Sequence, residues 1–429
     1  MLMAVTKLRR CASRSVLVSA LALALFAAQF AARPASADAQ TLGQLVRADD
    51  LVSLRAIDVP TAWARTHGNG VTVAVLDTGA DPSVPDLAGS VTVGPDYTRG
   101  ADPAGYQPPH LHGTYICSII AGHGSGPGRA EGIIGVAPGA RLLSIRVIPD
   151  DNEPGFAVYN ENSSFADAIA NGINYAVGHG ASVINMSLGS TGATRNLREA
   201  LANAIAHSVV IVASAGNGGS AGGGFSPYSY PASFTGVISV AAVGPAGHRA
   251  SFSEKNSSVV VAAPGINVAG VEGGGTYVSG DGTSPASALV AGVAALIRSA
   301  YPHLSPDQVM QAIVTSTSRR PAGGYNPGVG FGEVNAAAAL TTAGRLAPQP
   351  ATGAGSVAAT ARFGTGRAGP IAVVARDTTR IAAMAAIAFA ALLGFVGASL
   401  ALVASARRRR RRPPLADDLQ MWGLDDYTA

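Results

Sequence analysis

Cysteine is close to absent from this chain: Cys11 and Cys117 are the only two in 429 residues. Cys11 falls in a hydrophobic N-terminal leader, so the processed chain keeps Cys117 alone and an internal disulfide is excluded. A chain of this length does not need one, because a domain of this size buries enough apolar surface to hold itself together. Cys117 follows His112 within an apolar helical run and reads as a buried small hydrophobe, not a reactive thiol. Charged residues are also scarce, at 13%, and aromatics make up only 6%. The formal net charge of +4 comes from the two ends. Residues 1–37 hold five basic residues and no acid, and Arg407 to Arg412 are six arginines in a row. Between them, residues 38–380 hold 19 basic and 22 acidic residues, so the body is mildly acidic and a nucleic-acid partner is excluded. A phosphate-cradling loop is missing too. Gly122–Gly135 is glycine-rich and carries His123 and Arg129, but no lysine-bearing strand–loop–helix follows, and it reads as a surface loop.

What the chain does have is two long apolar runs. Lys7, Arg9, Arg10 and Arg14 precede an apolar stretch from Val16 to Phe30, and Ala35-Ser36-Ala37 is a small-x-small cleavage pattern. This reads as a secretory signal peptide over residues 1–37. Near the other end, Ile381 to Ser405 is a run of 25 uncharged, mostly apolar residues. At a rise of about 1.5 Å per residue it spans a bilayer core of about 30 Å with some tilt. The arginines that follow hold the C-terminus on the cytoplasmic side. The expected order is a signal peptide (1–37), a short N-terminal extension (38–55), a folded domain (56–345), an Ala/Gly/Pro/Thr-rich stalk (346–380), a transmembrane helix (381–405) and a cytoplasmic tail (406–429).

Within the domain, short apolar runs alternate with longer helical ones, the pattern of an α/β fold with a mostly parallel central sheet and helices on both faces. Strands are expected at Val71–Asp77, Arg141–Ile148, Ser182–Leu188, Val209–Ala215, Gly236–Val243 and Val259–Ala263. Helices are expected at Gly113–Ala121, Ser164–His179, Arg195–His207, Thr283–Ala300 and Pro306–Ser316. The last has a strong start signal, with Ser305 as N-cap, Pro306 first and Gln308 completing a capping box. In such sheets ligands bind beyond the carboxyl ends of the strands.

Three short runs carry the chemistry. Val75-Leu76-Asp77-Thr78-Gly79 ends a strand, His112-Gly113-Thr114 opens a helix, and Gly282-Thr283-Ser284 opens another. A serine hydroxyl is a weak nucleophile unless a base takes its proton, and histidine titrates near working pH. A buried aspartate fixes the imidazole tautomer and stabilises the imidazolium as it forms. Ser284 also stands where a helix N-cap is expected, with Pro285 at the first helical position. His110 competes with His112, but only His112 is followed by Gly-Thr.

The order Asp77, His112, Ser284, with these flanks, resembles the subtilisin-like serine proteases, or subtilases. Two further runs strengthen the likeness: Val212-Ala213-Ser214-Ala215-Gly216-Asn217 and Val183-Ile184-Asn185-Met186-Ser187-Leu188-Gly189. The resemblance implies a subtilisin-like fold and peptide-bond hydrolysis, with Asn217 and the N–H of Ser284 as oxyanion donors. It also implies that Ser187, Leu188 and Gly189 pair with an extended substrate, and that Ser214 and Ala215 line another wall, leaving a modest pocket for the residue before the cut. No cofactor is required for this chemistry. Relatives often bind structural calcium, but no loop here has a convincing ligand spacing. The sequence departs from the family pattern at Pro285, next to the serine, and at Tyr115, which is expected to narrow the site.

The architecture resembles the mycosins, membrane-anchored subtilases of type VII secretion. The stretch between Ala37 and Ala56 is too short for the folded inhibitory prodomain of many secreted subtilases. The run Gly328 to Asn335 resembles the close of a subtilase domain. The expected function is therefore a membrane-anchored extracytoplasmic serine endopeptidase acting on protein or peptide substrates, with secretion-complex proteins as further partners. The alternative is a subtilase-fold scaffold that stabilises a membrane secretion complex, with cleavage secondary.

Overall fold

Valine, isoleucine and alanine runs such as Thr72–Asp77 are apolar at successive positions, which suits strands buried on both faces of a sheet. A computed structural model of the protein describes residues 41–220, 224–347 and 378–410. It divides into two units, Met1–Pro350 and Ala351–Ala429. The first unit opens with α1 (Leu42–Ala56), α2 (Val59–Ala62), β1 (Thr72–Asp77), β2 (Val91–Asp96) and α3 (Leu111–Ala121). Next come β3 (His123–Ser125), β4 (Glu131–Ile134), β5 (Arg141–Arg146), α4 (Phe156–Glu161) and α5 (Ala168–Gly178). They are followed by β6 (Val183–Met186), α6 (Arg195–Ala206), β7 (Val210–Ser214), β8 (Val237–Val243) and β9 (Val261–Pro264). The unit ends with β10 (Val268–Val271), β11 (Tyr277–Gly280), α7 (Thr283–Ala300), α8 (Pro306–Thr315) and α9 (Ala336–Leu346).

Seven strands form one sheet in the order β2-β5-β1-β6-β7-β8-β9, and every pairing in it is parallel. β1 pairs with β5 on one side and β6 on the other, so the strand order reverses beside it. A crevice beyond the carboxyl end of β1 follows from that reversal. Side chains alternate between two cores, as a two-residue period requires. Val73, Val75, Val183, Val210 and Val212 pack with α3 and α7, whereas Ala74, Leu76, Ile184, Ile211 and Ala213 pack with α5 and α6. The helices thus cover both faces, as expected.

The capping box of α8 is formed, with the Ser305 hydroxyl accepting from Gln308 N–H and the Gln308 side chain accepting from Ser305 N–H. Several elements differ from expectation, three of them near the site or the domain's N-terminal edge. Residues expected as one helix from Ser164 instead make a short 3-10 turn at Ser163–Phe165, capped by Asn162, before α5 begins at Ala168. Gly122–Gly135 is not a plain surface loop: its ends pair as the antiparallel hairpin β3–β4. Polar groups of α1 hold that hairpin. Arg47 donates to the carbonyls of Glu131 and Gly132, and the buried Asp50 carboxylate accepts from Ile134 N–H at 2.8 Å. Burial pushes Asp50 up to about 8. Part of the short N-terminal extension is therefore an ordered helix packed on the domain.

In the second unit, α10 (Thr378–Arg410) contains Ala382–Ala401, with a mean hydropathy of 2.1 and none of it buried. α7 is also long and apolar, with a mean hydropathy of 1.2, but is 83% buried. The expected signal peptide, residues 348–377 of the expected stalk and residues 411–429 of the tail lie outside the described residues. Leu76 is fully buried under α5, where a methyl on Gly172 would stand 3.1 Å from it. Leu76→Ala is expected to cost about 2–5 kcal/mol, read as a lower midpoint in urea or thermal unfolding.

Candidate active site

β1 delivers Asp77 to the carboxyl edge of the sheet with its carboxylate buried. Asp77 Oδ1 accepts from the N–H of Thr78 at 2.8 Å and from His112 Nδ1 at 2.7 Å. His112 is the second residue of α3, and about a third of its ring is exposed, at 35%. Three contacts fix that helix start. Thr78 Oγ1 accepts from Gly113 N–H at 3.0 Å. The Asp150 carboxylate accepts from the N–H groups of Leu111 and His112 at 3.1 and 3.3 Å, using donors that no turn of the helix can satisfy. His110 takes a left-handed conformation as N-cap, and its Nδ1 donates to the Thr78 carbonyl at 2.8 Å. That bond commits His110 elsewhere and leaves Asp77 to His112.

Electrostatics favour a protonated His112. Burial works against the charge, but the charge and hydrogen bond of Asp77, then Asp150 and Glu272, outweigh it and raise the imidazole above its ordinary value.

Ser284 is the second residue of α7, and the N-cap is Gly282, not Ser284 as its sequence position suggests. Pro285 consequently stands third in the helix. It costs little there as well, because the first four N–H groups of a helix have no internal acceptor. The Ser284 hydroxyl donates to the Ser187 carbonyl at 3.2 Å rather than to His112. The Ser284 carbonyl in turn accepts from the hydroxyls of Ser187 and Ser287 at 3.1 and 2.9 Å. Asn217 Oδ1 accepts from both the N–H and the hydroxyl of Thr283, at 2.9 Å each, which leaves its Nδ2 as the free donor end. A methyl on Gly282 would stand 3.5 Å from Asn217 Nδ2 and 3.6 Å from Ser284 N. Two N–H donors therefore lie around one small volume.

Ser187, Leu188 and Gly189 run on from β6, and Ala215 runs on from Ser214 at the end of β7. The strands are neighbours, and Ser214 Oγ donates to the Leu188 carbonyl at 3.5 Å. All nine residues singled out in the sequence thus gather at one edge. Tyr115 does not narrow it. The ring lies 6.4 Å from that of His112, but the side chain is 6% exposed and its hydroxyl donates to the Val268 carbonyl under the β10–β11 hairpin. Cys117 is fully buried, and burial pushes its thiol up, in keeping with an inert side chain.

Asp150 carries part of this site and was invisible in the motifs. Its loop is held by Arg146, which ends β5 in register with Asp77. Arg146 is buried and pairs with Asp96 at 3.2 Å, with Asp102 at 3.0 Å and with Glu153. Glu153 also accepts from Asp150 N–H at 3.0 Å, and burial pushes it up to about 7. The only outward trace of this network is the acidic run Asp150-Asp151-Asn152-Glu153. Among the described residues, no group of three or more His, Cys, Asp or Glu side chains is placed to hold a metal ion.

A buried carboxylate holding a histidine at one helix start, with a serine at another, is the arrangement of a subtilisin-like serine peptidase. Residues 68–333 match the subtilase family, peptidase S8, and the chain belongs to that family. It is 35% identical over 319 residues to fervidolysin of Fervidobacterium pennivorans, which covers 68% of this chain but 44% of that protein. The chain thus spans less than half of fervidolysin's length. To subtilisin DY of Bacillus licheniformis it is 38% identical over 272 residues, covering 63% of this chain and 92% of that one. Its fold matches the MycP3 protease from the type VII (ESX-3) secretion system with a TM-score of 0.56 and 33% identity, covering 67% of this chain and 87% of that structure.

Because a base must be neutral to accept a proton, activity that depends on His112 rises with pH through its raised pKa. Asp150→Asn removes one of the charges that raise it and keeps an acceptor at the helix start. The acidic limb of the kcat/KM profile is expected to move to lower pH. An unmoved limb would leave Asp150 a purely structural role.

Proposed function

We propose that this chain is a membrane-anchored serine endopeptidase that cleaves protein or peptide substrates outside the cytoplasm. The observation that carries the reading is the 2.7 Å hydrogen bond from His112 to the buried Asp77 at the end of β1, with Ser284 tied through the Ser187 carbonyl to the end of the neighbouring strand β6. An extended substrate laid along Ser187–Gly189 pairs with the Ser187 carbonyl, the acceptor now held by the Ser284 hydroxyl. Displaced from it, the hydroxyl turns to His112.

Ser284 Oγ attacks the scissile carbonyl carbon as the other ring nitrogen of His112 takes its proton. The oxyanion that forms is bound by Asn217 Nδ2 and the N–H of Ser284. Collapse breaks the carbon–nitrogen bond, and His112 passes its proton to the leaving amine. Water then repeats the sequence on the acyl-enzyme, and Ser284 regains its proton. Asp77 keeps its charge throughout and stabilises the imidazolium.

Anchoring rests on Ala382–Ala401, whose length and hydropathy suit a bilayer core, and on the arginines after it, which favour a cytoplasmic C-terminus. The signal-like leader then directs the catalytic domain to the other side. Similarity to MycP3, together with this order of segments, supports a place in type VII secretion.

The test uses the full chain in membranes and a serine-directed phosphonate probe. Labelling is expected in the native chain and absent from Ser284→Ala; no Ser284-dependent labelling would overturn the reading. Asn217→Ala is expected to lower kcat by about 100- to 1000-fold with KM little changed, the range measured for this donor in a subtilisin.

A further inference from the structure

Glu254 has no part in the site described so far, yet it lies directly behind it. Residues 252–254 run beside residues 216–219, with Gly219 N–H donating to the Phe252 carbonyl at 2.7 Å and Glu254 N–H to the Gly216 carbonyl at 2.9 Å. The Glu254 carboxylate is thereby laid against the two glycines that flank Asn217. A methyl on Gly216 would meet its Oε1 at 2.5 Å and its Oε2 at 2.9 Å, and one on Gly218 would meet Oε1 at 3.1 Å. The place that a side chain at position 216 would take is filled by this carboxylate. Gly216 is the next residue along from Ser214 and Ala215, the wall assigned to the substrate side chain.

The carboxylate is also incompletely satisfied. Oε2 is shut from solvent and accepts no hydrogen bond from the described residues, although Glu254 as a whole is only half-buried. Burial raises its pKa and a backbone hydrogen bond from Gly218 lowers it, and no cation is among the influences on it. The side chain is otherwise only half-buried, and a ligand that brings a donor and a positive charge to its accessible side is favoured over one that does not.

We propose that Glu254 determines specificity in the pocket for the side chain preceding the scissile bond, and selects lysine or arginine there. The proposal rests on the endopeptidase reading above. Lysine and arginine bring N–H donors and a positive charge to the carboxylate, and such charge-assisted hydrogen bonds are the stronger kind. Small residues at Ser214, Ala215 and Gly216 leave the aliphatic stem of either side chain an apolar wall to lie on. An acidic side chain in the same place meets like charge and is rejected.

Two peptidyl diphenyl phosphonates, identical except for a lysine or a norleucine side chain at that position, read this directly as rates of Ser284 labelling in the full chain. The lysine probe is expected to label at least about tenfold faster, the discrimination of a site built to meet a donor. Glu254→Gln is expected to remove most of that ratio by slowing the lysine probe alone, and Glu254→Asp, which keeps the charge, to restore part of it. Equal rates in the native chain would overturn the proposal, as would Glu254→Gln slowing both probes alike, the mark of a structural role. Should neither variant accumulate, the native ratio decides. Ser284 labelled without preference sinks this proposal alone; no labelling by either probe sinks the endopeptidase reading and this inference with it.

Discussion

Between the end of β1 and the start of α3 there is room for one carbonyl oxygen and no side chain. A methyl on Gly113 would stand 1.9 Å from the Gly79 oxygen, so helix and strand meet backbone to backbone. That closeness sets how far His112 stands from Asp77, and it explains why a glycine must follow the histidine. Everything else at the helix start reinforces it. Thr78, one residue past Asp77, receives Gly113 N–H, and Asp150 receives the two N–H groups before it. Asp77 itself keeps one oxygen, Oδ2, buried with no partner among the described residues. A polar atom left in that state destabilises the fold, and such costs gather at functional sites where geometry matters more than stability.

The serine side is built from the opposite kind of contact. α7 passes through the core as a helix of small residues, with Ala286, Ala288, Ala291, Gly292, Ala294 and Ala295 all buried. At Gly292 a methyl would stand 2.4 Å from the Val136 side chain, so the helix is packed to its backbone. A helix this tightly surrounded cannot slide, and the height of Ser284 above the sheet is set by that packing. Its first turn is then tied down by hydroxyls. Asn185 donates to Ser187, and Ser187 and Ser287 both donate to the Ser284 carbonyl. One side of the site is held by main-chain contact and the other by core packing, and α3 and α7 also pack directly on each other in one core.

The sheet was legible because its strands are buried on both faces and so appear as valine- and alanine-rich runs; β1, β5, β6, β7 and β8 fall within the expected segments. β2 was missed because its solvent-side residues break the apolar pattern, and Val93 is 61% exposed. The hairpin β3–β4 was missed because glycine density suggests a loop, and nothing local shows that α1 supplies its polar partners from far along the chain. The positions of Asp77, His112, Ser284 and Asn217 at helix starts and beyond strand ends were legible from their flanks, since each flank does a fixed geometric task. Gly113 allows the close approach, and Gly282 caps α7 where a bulkier group would crowd the two N–H donors. The N-cap of α7 was misplaced from Gly282 to Ser284 because serine is the commoner cap. Asp150 and Glu254 were not legible at all. Each acts on backbone N–H groups or glycines of a distant segment, so neither has a partner residue whose type could announce it.

This difference has a physical cause that separates chemistry from selectivity in this fold. Proton transfer needs particular side chains at a fixed spacing, so the sequence around them is constrained and readable. Selectivity needs only shape and charge behind a backbone wall, which any segment folded against that wall can supply. Gly216 shows the point: its missing side chain is a gap, and the gap acquires chemical character only from what fills it. A loop more than 30 residues further along the chain fills it with a carboxylate. The same reasoning separates the two long apolar helices. α7 and α10 both have the length and hydropathy of a membrane span, and only burial distinguishes them, 83% of one and none of the other. In each case the residue string carries the group and the fold decides what surrounds it, so residue type alone does not assign the role.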